Sequence, residues 1–204
     1  SMNVTPAASK AIKFNSSNNG LETGDIGGSL VLISTVTASS SSTVDFTSGI
    51  DSTYKEYQFH FTDVHPATND ANLQVNFRDG GSSFDATKTT TFFRAYHTED
   101  DGGSGLEYRT ANDLAQSTGA ATLNIGAGNE NDECTSGILH LFDPSSTTFV
   151  KHFMCDSNLY EGGNNSHRAL VAGYANVTAA IDGVQFSFSS GNIDAGTFKL
   201  YGVS

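Results

Sequence analysis

The sequence predicts an all-β protein, an antiparallel β-sandwich of jelly-roll type, and three observations carry the prediction. Apolar and polar residues alternate with a period of two, as in Tyr57, Phe59 and Phe61 against Gln58, His60 and Thr62, or Leu73, Val75 and Phe77 against Gln74, Asn76 and Arg78. The alternating segments are short and separated by Gly, Asn, Asp and Ser turns. No segment sustains helical periodicity for about ten residues, so roughly ten to thirteen strands of about five residues must cover one another. A chain of 204 residues is long enough to bury such a core without staples. We read residues 28–204 as one sandwich domain and residues 1–27 as an amino-terminal arm.

In chain order, the arm carries one short strand at Ala11-Ile12-Lys13-Phe14. Its opening Ser1-Met2 reads as a protease scar before an initiator methionine, with no export signal after it. Residues 30–36 are nearly continuous in aliphatic and β-branched side chains, which predicts a central strand covered on both faces. A serine linker at 39–43 leads to the strand TVDF. Residues 55–97 read as an antiparallel meander, with the turns HPATNDAN and DGGSS between strands. Threonines favour extension in TKTTTFFRAYH, and a return strand starts at Leu106. In ANDLAQS, Asp113 caps one helical turn, too short to support a layer. The remaining strands are AATLNIG, SGILHLF, TTFVKHFMC, HRALVAGYANV, GVQFSFSS and TFKLYGV. Phe59, Phe61, Val75, Phe77, Phe186 and Phe188 are the expected core.

If Asp143-Pro144-Ser145-Ser146 is a hairpin loop, Phe142 pairs with Thr147 and the same register sets Cys134 opposite Cys155. That pair is then either a cross-strand disulfide or two reduced thiols, according to compartment. The register also sends His140 and His152 to opposite faces, so they would not share a metal. Which parity faces the core stays open, because Leu139, Leu141 and Val150 compete with Ile138, Phe149 and Phe153.

Composition removes several functions. The net charge is −12 with ten Lys plus Arg and no basic cluster, so nucleic acid is not an expected partner. No apolar run reaches the roughly 18 to 20 residues of a membrane-spanning helix, and no membrane insertion is expected. The histidines lack metal-ligand spacing, no G-x-S-x-G elbow occurs, and a carboxylate pair cannot be placed without the fold. No catalytic residue and no cofactor-binding residue is therefore named, and the protein is not expected to be an enzyme. Glu99, Asp100, Asp101 and Glu107 are the candidates for a Ca²⁺ site, although their spacing is not that of an EF-hand. Like Glu130, Asp132 and Glu133, they read first as solvated loops that blunt strand edges. Asp79-Gly80-Gly81-Ser82-Ser83-Phe84 is close to the Asp-box of sugar-processing β-hairpins, or is a plain turn. Tyr54, Tyr96, Tyr108, Tyr160 and Tyr201 are candidate interface or glycan contacts, or rim packing.

Taken together, GGSLVLISTVTASSSSTVDFTSGIDSTYKEYQFHFTDVHPATNDANLQVNF, DGGSSFDATKTTTFFRAYH, DLAQSTG, LHLFDPSSTTFVKHF and IDGVQFSFSSGNIDAGTFKLYGV resemble a family of small virion-associated proteins of marine tailed bacteriophages, described as structural, tail or appendage proteins. The resemblance covers residues 27–204 and brings no catalytic or binding residues with it. It implies a non-enzymatic particle component, a tail, appendage or capsid-decoration protein, made in the bacterial host cytoplasm and residing in the virion. Its partners would be other virion proteins and its own copies in a homo-oligomer, two-fold or trimeric. The alternative is a carbohydrate-binding module for host surface glycans. A glycan hydrolase is the third reading, and it needs two carboxylates across a cleft.

Overall fold

The computed structural model describes residues 10–15, 17, 19–25 and 29–204. Residues 1–9, with Ser1-Met2, and the expected boundary at 27–28 lie outside the described residues. The described residues form β1 (Lys10–Phe14), β2 (Leu21–Asp25), β3 (Leu30–Ser41), β4 (Val44–Phe46), β5 (Glu56–Pro66), β6 (Leu73–Arg78) and β7 (Lys88–Thr98). They continue as β8 (Ser104–Tyr108), β9 (Ala121–Thr122), β10 (Thr135–Phe142), β11 (Lys151–Glu161), β12 (Asn165–Ala175), β13 (Gly183–Phe188) and β14 (Ile193–Val203). A single 3₁₀ turn at Thr110–Asn112 is the helical element among them, just before the turn expected at Asp113.

β1 and β2 pair as a hairpin, so the arm contains two strands where one was expected. An eight-stranded sheet runs β3-β14-β5-β10-β11-β12-β7-β8, and a four-stranded sheet runs β4-β13-β6-β9. Every pairing is antiparallel. Placed against the first half of the wide sheet, the small sheet matches it strand for strand: β3 with β4, β14 with β13, β5 with β6, β10 with β9. Each matched pair is consecutive in the chain, which therefore crosses the sandwich at each step, the jelly-roll connectivity. The same crossing corrects the expected meander at 55–97, since β5 and β7 belong to the wide sheet and β6 to the small one. All three strands turn their apolar parity to one interlayer core, so alternation alone does not tell a hairpin from a crossing.

The core forms where the two inner faces meet. Phe186 of β13 packs among Phe46, Phe59, Phe61 and Phe198, with ring centroids 6.4, 5.9, 6.2 and 5.1 Å away. Phe77 of β6 meets Phe153 of β11 at 4.9 Å. All six expected core residues are buried, each such side chain contributing about 1.5–3 kcal/mol.

Beyond β11 the small sheet ends, and the connections on either side of β9, residues 109–120 and 123–127, take over as cover. The Arg109 amide donates to Phe92 O, Thr90 and Leu114 exchange bonds, and Lys88 and Ser117 form a bridge. The chain then passes beneath the sheet. There the fully buried Asn124 accepts from the Leu73 amide at 3.2 Å and donates to Thr135 Oγ1 at 2.7 Å.

Three further expectations are corrected. β3 is an edge strand paired with β14 alone, and it absorbs most of the supposed serine linker. A bulge opposite Leu200 and Tyr201 inserts Ile33 and breaks the alternation, and Leu30, Val31 and Leu32 before it are exposed, not covered on both faces. In the β10–β11 hairpin, Leu141 pairs with Phe153 and Leu139 with Cys155. The loop is longer than expected, 143–150, because Asp143 N bonds Lys55 O, Ile181 N bonds Pro144 O, and Ser146 Oγ accepts from Phe149 N. Cys134 thus lies beside Tyr160, about 16 Å along the strand from the row of Cys155. That is too far for a disulfide, and both thiols are free. His140 pairs with Met154, and His152 shares the parity of Met154, so both histidines face outward on one side of the sheet. On the inner side Leu139, Leu141 and Phe153 are buried, while Phe149 is exposed.

Lys88, at the start of β7, is fully buried, with Nζ donating to Asn76 Oδ1 at 2.5 Å and Ala86 O at 2.9 Å. Burial lowers its pKa to about 8, against the pull of Asp85 and Asp79. Between about 8 and the ordinary 10.5 the unfolded chain holds this proton while the folded chain has released it, so stability rises with pH in that window. In urea titrations across the window, unfolding free energy should climb more, or fall less, with pH in the wild type than in Lys88→Met. Removing the buried amide in Asn124→Ala strands the Leu73 amide, and the same titration at neutral pH should show a loss of about 2–3 kcal/mol.

Candidate functional site

The inner face of the wide sheet changes character along its rows. Lys151, Ala175 and Lys88 form the first row, then Phe153, Gly173 and Thr90, then Cys155, Val171 and Phe92. The next row is Ser157, Ala169, Arg94 and Glu107, followed by Leu159, His167, Tyr96 and Gly105, and last by Glu161, Asn165 and Thr98. Over these last rows the covering chain pulls back to the segments holding Asp70 and Asn72, Ile125 and Gly126, and Arg109 and Asn112. Between cover and sheet lies a polar cleft of about 300 Å³.

One wall of the cleft is an internally satisfied network. Glu107 Oε1 accepts from Arg94 Nε at 3.2 Å and Nη2 at 2.9 Å, and its Oε2 accepts from Arg109 Nη1 at 3.1 Å. The hydrogen bonds from the two arginines hold its carboxyl below the usual range. Arg94 Nη1 lies 3.0 and 3.2 Å from the ring nitrogens of His167, and the Arg94 guanidinium sits 5.0 Å from the Tyr96 ring centroid. His167 is 1% exposed. Burial first, and the Arg94 charge second, push its pKa below 6.5. The neutral ring is what allows it to accept from Arg94.

The other groups point into the open space. Glu161 Oε2 is bonded by Asn165 Nδ2 and lies 3.7 Å from His167 Nε2, while Oε1 has no hydrogen-bond partner among the described residues. Asp70 sits at φ +60° in the turn before Ala71. A Cβ on Gly126 would lie 3.0 Å from Asp70 Oδ1 and 3.2 Å from Glu161 Oε1, so these oxygens are at most about 6 Å apart. Gly126, at φ +79°, keeps that space open, and its amide donates to Asn72 Oδ1 at 3.0 Å.

The structure scatters the residues singled out from sequence. Tyr96 lies behind the cleft, its ring against the Arg94 guanidinium, whereas Tyr54 packs on Tyr57 at 5.7 Å and Tyr201 on His60 at 4.7 Å. Tyr108 donates to Asp113 Oδ2, and Tyr160 is near Asn164. Among the calcium candidates, Asp100 Oδ1 accepts from Gly102 N and Asp101 from His97, while Glu107 is taken by the arginines. Among the described residues no group of three or more His, Cys, Asp or Glu is arranged to hold a metal ion. The second acidic loop is not simply solvated: Glu133 is 3% exposed and its Oε2 accepts from the Glu130 amide at 2.6 Å. Asp79 to Phe84 joins strands of opposite sheets and so is no hairpin turn. Cys134 and Cys155 both have thiol pKa values raised by burial.

Asp70, Arg94, Arg109, Glu161 and His167 were not found by sequence reasoning. One signal was available, a histidine on the apolar parity of Ala169 and Val171.

The outer face of the same sheet is apolar at its β8 end. Leu106 is 74% exposed and Met154 50%, with Phe93 and Tyr108 also exposed. A shallow depression of about 380 Å³ is lined there by Phe93, His140, Met154, Asp156, Leu170 and Ala172. Its one carboxylate, Asp156, is neutralised by Arg168 at 2.6 Å.

A depressed histidine pKa means that the unfolded chain takes up a proton below about pH 6.5 while the folded chain does not, so this stability is present above that pH and lost as pH falls. Wild-type unfolding free energy should therefore fall more steeply below about pH 6.5 than that of His167→Gln, read by urea denaturation. Comparison of the chain with protein-family models, curated proteins and solved structures finds no match.

Proposed function

We propose that this protein is a non-enzymatic structural component of a tailed-phage particle, and that it assembles with copies of itself through the outer face of the eight-stranded sheet. The observation that carries the reading is the exposed apolar group Phe93, Leu106, Tyr108 and Met154 on that face. A contiguous exposed patch of aromatic and Met side chains has the chemistry of an interface centre. A chain of net charge −12 repels its own copies over most of its surface. At this depression the Asp156 charge is paired, so a second copy meets it without that penalty. The virion setting is supported by the resemblance of residues 27–204 to marine phage particle proteins and by the use of jelly rolls in capsid domains.

The second reading, a carbohydrate-binding module for host surface glycans, is favoured by the unengaged polar groups of the cleft. Jelly rolls serve lectin domains as well.

Light scattering at two concentrations tests the first reading. The wild type should hold a fixed multiple of 21.5 kDa on dilution, and Met154→Glu or Phe93→Glu should fall to the single-chain mass. A wild-type monomer at both concentrations would refute self-assembly.

A further inference from the structure

The polar atoms of the cleft fall into two sets. Glu107, Arg94 and His167 satisfy one another and form a fixed wall. By contrast, the Asp70 carboxylate, Glu161 Oε1, the Asn72 and Asn112 side-chain amide nitrogens, and Arg109 Nε and Nη2 have no hydrogen-bond partner among the described residues. These atoms belong to lining side chains of one cleft, and they include both acceptors and donors.

Charge decides what such a set takes. The lining charges balance, Arg94 and Arg109 against Asp70 and Glu161, and Glu107, bonded to both arginines, tips the site negative while His167 is neutral, which disfavours phosphate or an acidic sugar. The Arg109 guanidinium in the lining equally disfavours a metal cation. A neutral ligand rich in hydroxyls remains, because each hydroxyl both donates to a carboxylate and accepts from an amide or guanidinium. The gap of at most about 6 Å between Asp70 Oδ1 and Glu161 Oε1 suits two neighbouring hydroxyls of one ring, each making an O–H···O bond of about 2.7 Å. A volume of about 300 Å³ is at the small end for ligand sites, room for one sugar unit.

We infer that this cleft binds a single neutral pyranose unit, its adjacent hydroxyls donating to Asp70 and Glu161 and accepting from Arg109, Asn112 and Asn72. This deepens the glycan-recognition reading and rests on it. Among the described residues no aromatic ring lines the cleft, and Tyr96 lies behind Arg94. Affinity per site is therefore low, and selectivity for neutral over acidic sugars is the signature.

The test uses the full chain on an array of neutral and acidic glycans, with saturation-transfer NMR against free glucose, galactose, mannose and fucose. Asp70→Asn and Asn112→Ala are the variants, chosen because neither side chain makes a hydrogen bond within the described fold, and urea midpoints check that both fold. Supporting results are wild-type binding to neutral pyranosides, at least about tenfold weaker in Asp70→Asn and a few-fold weaker in Asn112→Ala. Neutral-glycan binding undiminished in both variants overturns this site while leaving glycan recognition standing, as does binding confined to acidic glycans. No binding to any glycan overturns both.

Discussion

The constraint on which this structure depends is a mismatch of widths. A sandwich is stable when each inner face is covered, but here an eight-stranded sheet faces a four-stranded one. The small sheet packs on β14 and β5 through the Phe186 cluster and reaches β11 through Phe77 and Phe153. What remains is covered by a connection instead of a layer. Residues 109–120 and 123–127, which flank β9, can do this only if their backbone groups find partners, because buried amides without them are costly. Asn124 answers that need, tying the β6 edge to β10 through one side chain.

The site follows from where that cover stops. Beneath it, past a first row of buried Lys151 and Lys88, the rows are largely apolar, with Phe153, Val171 and Phe92. Rows past it hold Arg94, His167 and Glu161, which would not tolerate burial unless paired. Pairing is what is found: Glu107 takes both arginines, and a neutral His167 accepts from Arg94. The wall is consequently fixed before any ligand arrives, and ordering it costs a ligand little.

Much of the fold was legible because burial follows parity. Tyr57, Phe59, Phe61, Val75 and Phe77 all lie where the alternation puts them. Pairing was less legible, because β5 and β6 display the same alternation whether they sit side by side or across a core. The β10–β11 register failed for a related reason: Phe149 and Val150 look like strand residues but occupy a loop held by Ser146 and Asp143. The cleft was nearly illegible. Arg94 and Glu107 meet through β7–β8 pairing, but Asp70 and Gly126 arrive from connections whose positions only the crossings determine.

The two proposed surfaces lie on opposite faces of one sheet, and this makes them compatible. Phe93 and Arg94 are adjacent in β7, yet the first points to the apolar depression and the second to the cleft. Docking of copies through the outer face therefore leaves each cleft open. It would also set several low-affinity clefts at fixed spacing, where a surface carrying many glycans engages them together and gains avidity without any new contact. A monomer with the same cleft would lack that gain. Assembly and recognition need not compete, and the width of the sheet that forces the cover to end early is also what provides the outer area on which copies can meet.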